Sequence, residues 1–372
     1  MPVEASAPWA VRLARLRDEL VAVDALIVTH PPNIRYLTSF HGSAGALLIL
    51  PARALLVVDF RYGVAARAAA QASGCETMVS PVSLDASMVE ALHASGAKRI
   101  GVEGAWMSVA RFNRLSVALS PSGTVGEDGG EVRPGLVSTE RLIERARAVK
   151  DVREIATLRE AGRRLARVAA QVPALVREGR TEIEIGADID RLVREAGFER
   201  PAFETIVASG PNGALPHARP GSRRLAAEDG VVLDFGGVYD GYCVDLTRTV
   251  ELGAATPEWR RLAGAVAEAH QAAMSTVGPG IAASSVDAAA RNVLVRHGLG
   301  EAFGHATGHG LGLEVHEEPR IGALVAGQPD LVLEPGMVFT IEPGAYVEGI
   351  GGARLEDDVL VTASGMEVLT RS

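Results

Sequence analysis

The sequence predicts two domains, an α/β domain over residues 1–140 and an α+β domain over residues 150–372. A chain of 372 residues is longer than one hydrophobic core usually covers. Strand-like and helix-like segments alternate in the first part, whereas the second part opens with helices and then alternates hairpins with helices. A polar, glycine-rich stretch, SPSGTVGEDGGEVRPG, lies between the two parts and indicates a boundary.

The elements of the first part follow from short apolar runs and from longer amphipathic ones. The runs DALIVT, ALLIL and LLVVD predict strands, and residues 59–73 and 108–119 predict helices. The chain begins with MPVEASAPWAVRLARLRDEL, which lacks a long apolar core. This segment therefore predicts an amphipathic helix instead of a signal peptide.

The helices of the second part are indicated by their starting residues. A long charged helix is expected to begin near Lys150 and Asp151. The capping box Thr181-Glu-Ile-Glu184 predicts the start of the next helix, and residues 258–275 predict another.

Composition restricts the classes of function. The net charge of −9 and the lack of a basic run argue against nucleic acid as the partner. No apolar run is long enough to predict a membrane span. The two cysteines, Cys75 and Cys243, are too few and too far apart for a disulfide framework, which fits a reducing compartment. We therefore expect a cytoplasmic protein.

Two carboxylates lie within the strand-like stretch VVLDFGGVYDGYCVDLTRT. Asp240-Gly241 is a strong signal for a two-residue hairpin turn. This turn places Asp245 opposite Gly236, with Asp234 two residues further along the same strand, so both carboxylates project from one face. Two neighbouring anions repel each other, so this face is solvated by water, neutralised by basic side chains, or occupied by a cation.

The stretch MVFTIEPGAYVEGIGGARLEDDVLVT predicts a second hairpin, with Glu342 before its turn and Glu356 after it. Between the two hairpins, FGHATGHGLGLEVHEEPR contains His305, His309 and His316. Four carboxylates around one imidazole suit hard or borderline divalent ions and carry enough charge for two of them. Two metals roughly 3.5–4 Å apart can hold a hydroxide between them, which predicts metal-assisted hydrolysis.

The order and the local phrases of these residues resemble one enzyme family. The phrases DFGG, DLTRT, GHGLGLEVHE, TIEPG and LEDD resemble the dinuclear metallopeptidases of the pita-bread fold, which include methionine aminopeptidase, aminopeptidase P and prolidase. The resemblance implies a pita-bread catalytic domain, creatinase- and aminopeptidase P-like, with two divalent ions per chain. Manganese is the expected ion, and cobalt and zinc are the alternatives. The implied ligands are Asp234 for one metal, His309 and Glu342 for the other, and Asp245 and Glu356 as bridges.

Other phrases resemble the proline-directed branch of this family. NIRYLTSFHGSAGALLIL and VVDFRY are similar to the smaller domain of bacterial Xaa-Pro peptidases. His305, four residues before His309, and Arg354, two before Glu356, are typical of the proline-directed enzymes and would line the proline side. The resemblance thus implies hydrolysis of the bond before proline in Xaa-Pro dipeptides. It also implies a homodimer.

Alternative functions stay open at this point. One is an aminopeptidase P that acts on longer Xaa-Pro peptides. Others are a methionine aminopeptidase, a creatinase-like C–N hydrolase and a non-enzymatic pita-bread binding protein. The intact ligand set argues against the last two, and His305 and Arg354 argue against methionine aminopeptidase.

The resemblance also implies roles for side chains around the metals. Glu342 relays a proton, His316 stabilises the developing oxyanion, and His217 helps to protonate the leaving proline nitrogen. Tyr346 matches a residue that the family places near the metals, although packing or charge balance would also explain Tyr346 and Arg354.

Arg320 in VHEEPR predicts a preference for dipeptides. Certain microbial prolidases carry arginine at the corresponding position, where it can clamp the free carboxylate beyond the proline ring. The alternative is an exposed arginine that pairs with Glu317 or Glu318.

Overall fold

The computed structural model describes residues 8–120 and 135–371 of the chain. It divides the chain into two compact units, Met1–Ala146 and Arg147–Ser372, here called the N-terminal and C-terminal units. The glycine-rich stretch that we expected between the domains lies almost entirely outside the described residues.

The N-terminal unit is built on one mixed sheet of six strands, in the order β4-β3-β2-β1-β5-β6. The three predicted strands are confirmed as β1, β2 and β3, and all three are buried on both faces, as their continuous apolar runs require. The predicted helix over residues 59–73 starts later, at Gly63, because Asp59 first caps a single 3₁₀ turn. The elements of this part of the chain are α1 Pro8–Glu19, β1 Ala25–Val28, α2 Pro31–Thr38, β2 Ala46–Ile49, β3 Ala54–Val58, α3 Gly63–Ser73, β4 Glu76–Val79, α4 Leu84–Ser95, β5 Arg99–Glu103, α5 Val109–Leu119, β6 Gly135–Thr139 and α6 Leu142–Ala148.

The C-terminal unit is α+β, as the sequence predicts. Its elements are α7 Val152–Ala169, α8 Glu182–Glu195, β7 Arg200–Pro201, β8 Ile206–Ser209, β9 Gly230–Tyr239, β10 Tyr242–Glu251, α9 Pro257–Thr276, α10 Ala283–Arg296, β11 Gly308–Gly310, β12 Glu317–Ile321, β13 Val338–Ile341, β14 Gly344–Val347, β15 Gly351–Arg354, β16 Asp357–Thr362 and β17 Gly365–Val368. Both α7 and α8 begin with a complete capping box, formed by Asp151 with Glu154 and by Thr181 with Glu184. Within the described ranges, none of the helices has the length and apolar character needed to cross a bilayer.

Two pairs of helices support the two carboxylate-bearing hairpins. Residues of α7 and α8 share one apolar core with β9 and β10, and residues of α9 and α10 share another with β13, β15 and β16. The hairpins meet where the Asp245 N–H donates to Asp358 Oδ2 at 3.0 Å and the Glu356 N–H donates to the Thr247 carbonyl at 3.2 Å. Each helix pair therefore supports one of the two hairpins, and the hydrogen bonds between the hairpins hold their carboxylates together.

Candidate metal centre

The first hairpin has the predicted register. Asp240 and Gly241 form its two-residue turn with φ values of 46° and 72°, and the left-handed region is what a type I′ turn requires at both positions. Asp245 lies opposite Gly236, and Asp234 lies opposite Thr247. Asp234 and Asp245 are therefore diagonal neighbours on one face, as predicted, and both are buried.

The second hairpin is interrupted at its two carboxylates. Strand β13 pairs with β16 and β14 pairs with β15, so that Glu342 and Glu356 lie between the two ladders. Pro343 has no N–H to continue the ladder. The Glu342 N–H instead donates to the Thr307 carbonyl at 2.7 Å, and the Glu356 N–H donates to strand β10. These exchanged partners place the glutamates against both β10 and the histidine-bearing segment.

Three predicted ligands converge on one point. Donor atoms of Asp245, His309 and Glu356 all lie within 4.8 Å of one another. Glu342 lies beside this group, with Oε1 3.3 Å from His309 Nε2. Asp234 is not part of the tight group, but its charge helps to raise the pKa of Asp245.

The buried oxygens of this group fit a cation. Asp234 Oδ1, Asp245 Oδ1 and Glu356 Oε1 are buried and have no hydrogen-bond partner among the described residues, an arrangement that costs free energy unless a cation satisfies them. Burial, together with the neighbouring carboxylates, raises the pKa of Asp245 and of Glu356 well above the usual range. The residues therefore fit one or more divalent ions with oxygen preference, as the resemblance implies.

His309 has the protonation state that a metal ligand needs. Burial, reinforced by the neighbouring His316, lowers the pKa of His309 to about 4, so its ring is neutral at pH 7. Its Nδ1 lies 3.1 Å from the Gly310 carbonyl oxygen and donates to it, because a carbonyl can only accept. Nε2 consequently keeps its lone pair and faces Glu342.

A hydrogen-bonded chain joins His305 to Asp234. His305 Nδ1 donates to the Ala306 carbonyl at 2.8 Å, and therefore His305 Nε2 accepts from the Tyr346 hydroxyl at 3.0 Å. The same hydroxyl accepts from Arg354 Nη1 at 2.8 Å. Arg354 Nη2 in turn donates to Asp234 Oδ2 at 2.5 Å. Tyr346 and Arg354 thus orient both a predicted metal ligand and the predicted proline-side histidine.

The other two predicted histidines lie at the exposed side of the group. The ring centroids of His316 and His309 are 4.3 Å apart. His217 is also exposed, and its charge contributes to the lowered pKa of both His305 and His316, which indicates that it lies near both.

Arg320 shares a face with His309. The two residues are directly opposite in the β11–β12 pair, so their side chains project from the same side. The Arg320 side chain is exposed, and Nη1 donates to the Ala323 carbonyl at 3.2 Å. Glu317 is not its partner, since the Glu317 carboxylate pairs with Arg147 and Lys150.

Sequence reasoning missed two polar residues that support the ligands. Thr247 Oγ1 donates to Glu356 Oε2 at 2.6 Å and accepts from Arg354 Nε at 3.1 Å. Asp358 is fully buried and accepts the Asp245 N–H. Each lies two residues after a predicted ligand, Thr247 in DLTRT and Asp358 in LEDD. Because residues two apart in a strand share a face, this spacing could have indicated that both lie beside the predicted ligands.

The crowded carboxylates predict that the metal-free protein loses stability as the pH rises. Burial raises the pKa of Glu342 from its usual 4.5 to about 8, and Asp245 and Glu356 shift in the same direction. A raised folded-state pKa stabilises the fold below the unfolded value, and this contribution is lost as the pH rises through the folded value. After chelation, urea denaturation should show the free energy of unfolding falling by roughly 2–4 kcal/mol between pH 5 and pH 8.

Glu342→Gln is the matched variant for this measurement. Glutamine cannot ionise, so the fall between pH 5 and pH 8 should be smaller than in the unsubstituted chain. An unfolding free energy that is flat or rises over this range would show that the folded protein does not raise the pKa values of these carboxyl groups.

Comparisons with known proteins show which family this chain resembles over its whole length. Residues 156–363 match the Metallopeptidase family M24 profile, and residues 12–149 match the Creatinase/Prolidase N-terminal domain. The chain is 32% identical to a Xaa-Pro dipeptidase of Pyrococcus horikoshii over 94% of this chain and 93% of that protein. Its structure is similar to a Xaa-Pro dipeptidase from Bacillus anthracis, with a TM-score of 0.88, 32% identity and coverage of 99% and 98%. An X-Pro aminopeptidase from Thermotoga maritima gives a TM-score of 0.82, 32% identity and coverage of 96% and 97%.

Proposed function

Because the chain belongs to metallopeptidase family M24, we propose that it hydrolyses the peptide bond preceding proline in Xaa-Pro dipeptides. The observation that carries this proposal is the group of buried, unpartnered carboxylate oxygens beside the neutral ring of His309. The proposed ligands are Asp234, Asp245, His309, Glu342 and Glu356. Divalent cations at such a site activate water for attack on a carbonyl at neutral pH. Manganese is the proposed ion, and cobalt and zinc are alternatives.

Glu342 is the proposed proton carrier. Its Oε1 lies 3.3 Å from His309 Nε2, beside the converging donors of Asp245 and Glu356, where a carboxylate can take the proton of an attacking water. The carboxyl can therefore accept a proton during attack and release it later. Thr340 Oγ1, 3.4 Å from Glu342 Oε1, helps to hold that oxygen in place.

The histidines at the exposed side would act on the substrate. His316 donates a ring N–H to the oxyanion that develops on the carbonyl before proline. His217 supplies a proton to the proline nitrogen, which becomes a secondary amine as the bond breaks. The His305 Nε2 atom accepts from Tyr346, so His305 contributes its ring surface, rather than an N–H, to a proline pocket.

A proline-directed site needs this kind of pocket because proline has no backbone N–H for a peptidase to grip. Recognition must therefore come from the ring and from the charged ends of the substrate. Arg320 is exposed on the same face as His309 and is our proposed contact for the free carboxylate of a dipeptide.

An aminopeptidase P that cleaves longer Xaa-Pro peptides is the second candidate, because an X-Pro aminopeptidase is also a close structural relative. Gly-Pro-type dipeptides and Xaa-Pro tripeptides, each assayed after incubation with Mn²⁺, Co²⁺ or Zn²⁺, distinguish the candidates. Faster cleavage of dipeptides supports the first, and cleavage of tripeptides alone supports the second. Failure to cleave either substrate with any of the three ions would overturn both.

Arg320→Ala should raise the KM for dipeptides about tenfold or more, since one charge-assisted pair is worth roughly 1.5–3 kcal/mol. The KM for longer peptides should change little, because their carboxylate lies elsewhere. Arg320→Lys should recover only part of the affinity, since lysine lacks the planar fork. Steady-state kinetics with both substrate lengths test this. Equal effects on the two substrates would remove Arg320 from the substrate site.

We further propose a cytoplasmic homodimer. Both cysteines are buried free thiols, which agrees with a reducing compartment. Phe60, Val64 and Val82 are exposed on the N-terminal unit, and we propose that they contribute to the contact between the two copies. Sedimentation equilibrium would measure the mass of the assembly, and a monomer at micromolar concentration would contradict the homodimer.

A further inference from the structure

Four charged side chains form a cluster next to His316, here called the Glu317 cluster. Glu317 Oε1 accepts from Lys150 Nζ at 3.0 Å, and Glu317 Oε2 accepts from Arg147 Nη2. Arg147 Nη2 also pairs with Glu314 Oε2 at 2.8 Å. The side chains of Arg147, Lys150 and Glu317 are 2%, 1% and 4% exposed, so the cluster is shielded from water.

Stability alone does not explain this cluster. The two cations and two carboxylates balance in charge, but the free energy of removing these ions from water offsets most of their mutual attraction. Replacing a buried ion pair by apolar side chains of similar volume therefore often leaves the fold equally stable or makes it more stable. What such a cluster adds is a fixed geometry, because each charge must meet its partner at hydrogen-bond distance. The lysine and the arginine hold opposite oxygens of one carboxylate, which restrains the Glu317 side chain in both position and rotation.

The Glu317 carboxylate in turn holds the loop that leads to His316. Its Oε2 accepts the Glu314 N–H at 3.3 Å. A Cβ on Gly312 would lie 2.4 Å from Glu317 Oε1, so the loop backbone packs directly on the carboxylate. On its other side the loop is tied to strand β10, because the Gly312 carbonyl accepts the Cys243 N–H at 2.6 Å. His316 is the residue before Glu317, and its ring lies against that of His309.

We propose that Glu317, held by Arg147 and Lys150, is a positioning residue that sets His316 at the metal centre. The inference rests on the proposed role of His316. Arg147 and Lys150 lie at the start of the C-terminal unit, far from His316 in sequence. Under this proposal they influence the rate of the reaction through Glu317. A cluster that merely stabilised the fold would have no such selective influence.

A double-mutant cycle of Glu317→Gln with His316→Ala tests the proposal, with kcat and KM measured on a Xaa-Pro dipeptide and bound metal measured for each protein. Glu317→Gln should lower kcat about tenfold and change KM less than twofold, with metal content retained. In the His316→Ala background the same change should have almost no further effect on kcat, because the positioned group is gone. Glu195→Gln, which breaks an exposed ion pair with Arg191, is the matched control and should leave kcat unchanged.

The possible outcomes separate the two proposals. An equal loss of kcat from Glu317→Gln in both backgrounds would overturn the positioning role and leave the role of His316 intact. If His316→Ala itself keeps full kcat, the role proposed for His316 fails, and this inference fails with it. If Glu317→Gln does not fold, Lys150→Met replaces it in the cycle, since it removes one cation and keeps the Arg147 contact, and the same two readouts decide.

Discussion

Asp245→Ala is expected to lower kcat/KM for Xaa-Pro dipeptides by at least about 10³-fold. Loss of a residue that only orients a metal ligand typically lowers metal affinity or activity by about 10- to 100-fold. Loss of a predicted ligand should lower them further. Asp245 is buried, belongs to the group of converging donors, and has one oxygen without a hydrogen-bond partner in the described part of the chain. The substitution should also abolish tight binding of Mn²⁺, measured by calorimetry on the chelated protein.

Two further measurements make this prediction specific. Glu228→Ala, at an exposed position before strand β9, should retain both activity and metal binding. Removal of metal from the unsubstituted protein by a chelator should cause the same loss of activity as Asp245→Ala. Added metal should restore the activity of the chelated protein but not that of the Asp245→Ala variant. Full activity in the exhaustively chelated protein would contradict the metal-centre assignment.

His316→Ala is expected to lower kcat by about 10²-fold and leave metal content near normal. A donor to the developing oxyanion acts mainly in the transition state, so kcat and kcat/KM should fall together. The geometry supports a role outside the ligand group, since His316 is exposed and contacts His309 through its ring. Single-turnover kinetics and metal analysis of the same preparation provide the two readouts. An unchanged kcat with reduced metal occupancy would make His316 part of the metal support instead.

The features that could be predicted from the sequence are those that local chemistry specifies. An Asp-Gly turn fixes the pairing of its flanking strands, and the two-residue period of a strand then fixes which carboxylates share a face. For this reason the register of the first hairpin, with Asp245 opposite Gly236, was predictable. The capping box at Thr181 was similarly local and marked the start of α8.

The second hairpin was predictable in outline and not in detail. One carboxylate does lie on each arm, but the ladder breaks at Glu342 and Glu356. Pro343 marks a possible break in the sequence, yet the new backbone partners, Thr307 for Glu342 and Thr247 for Glu356, come from distant segments. Local pattern cannot indicate which distant carbonyl accepts a released N–H.

The sequence by itself determined the types and order of the predicted ligands and the hairpin that places Asp234 and Asp245 on one face, because these depend on residue chemistry and on short-range geometry. Only the tertiary structure decided that Asp245, His309 and Glu356 converge, and that Asp358, 113 residues after Asp245, bonds to its backbone. The same holds for Glu317, whose two buried cations precede it by 170 and 167 residues. Such contacts form only when separate helix pairs pack both hairpins into place, and their partners are chosen by burial and charge compensation.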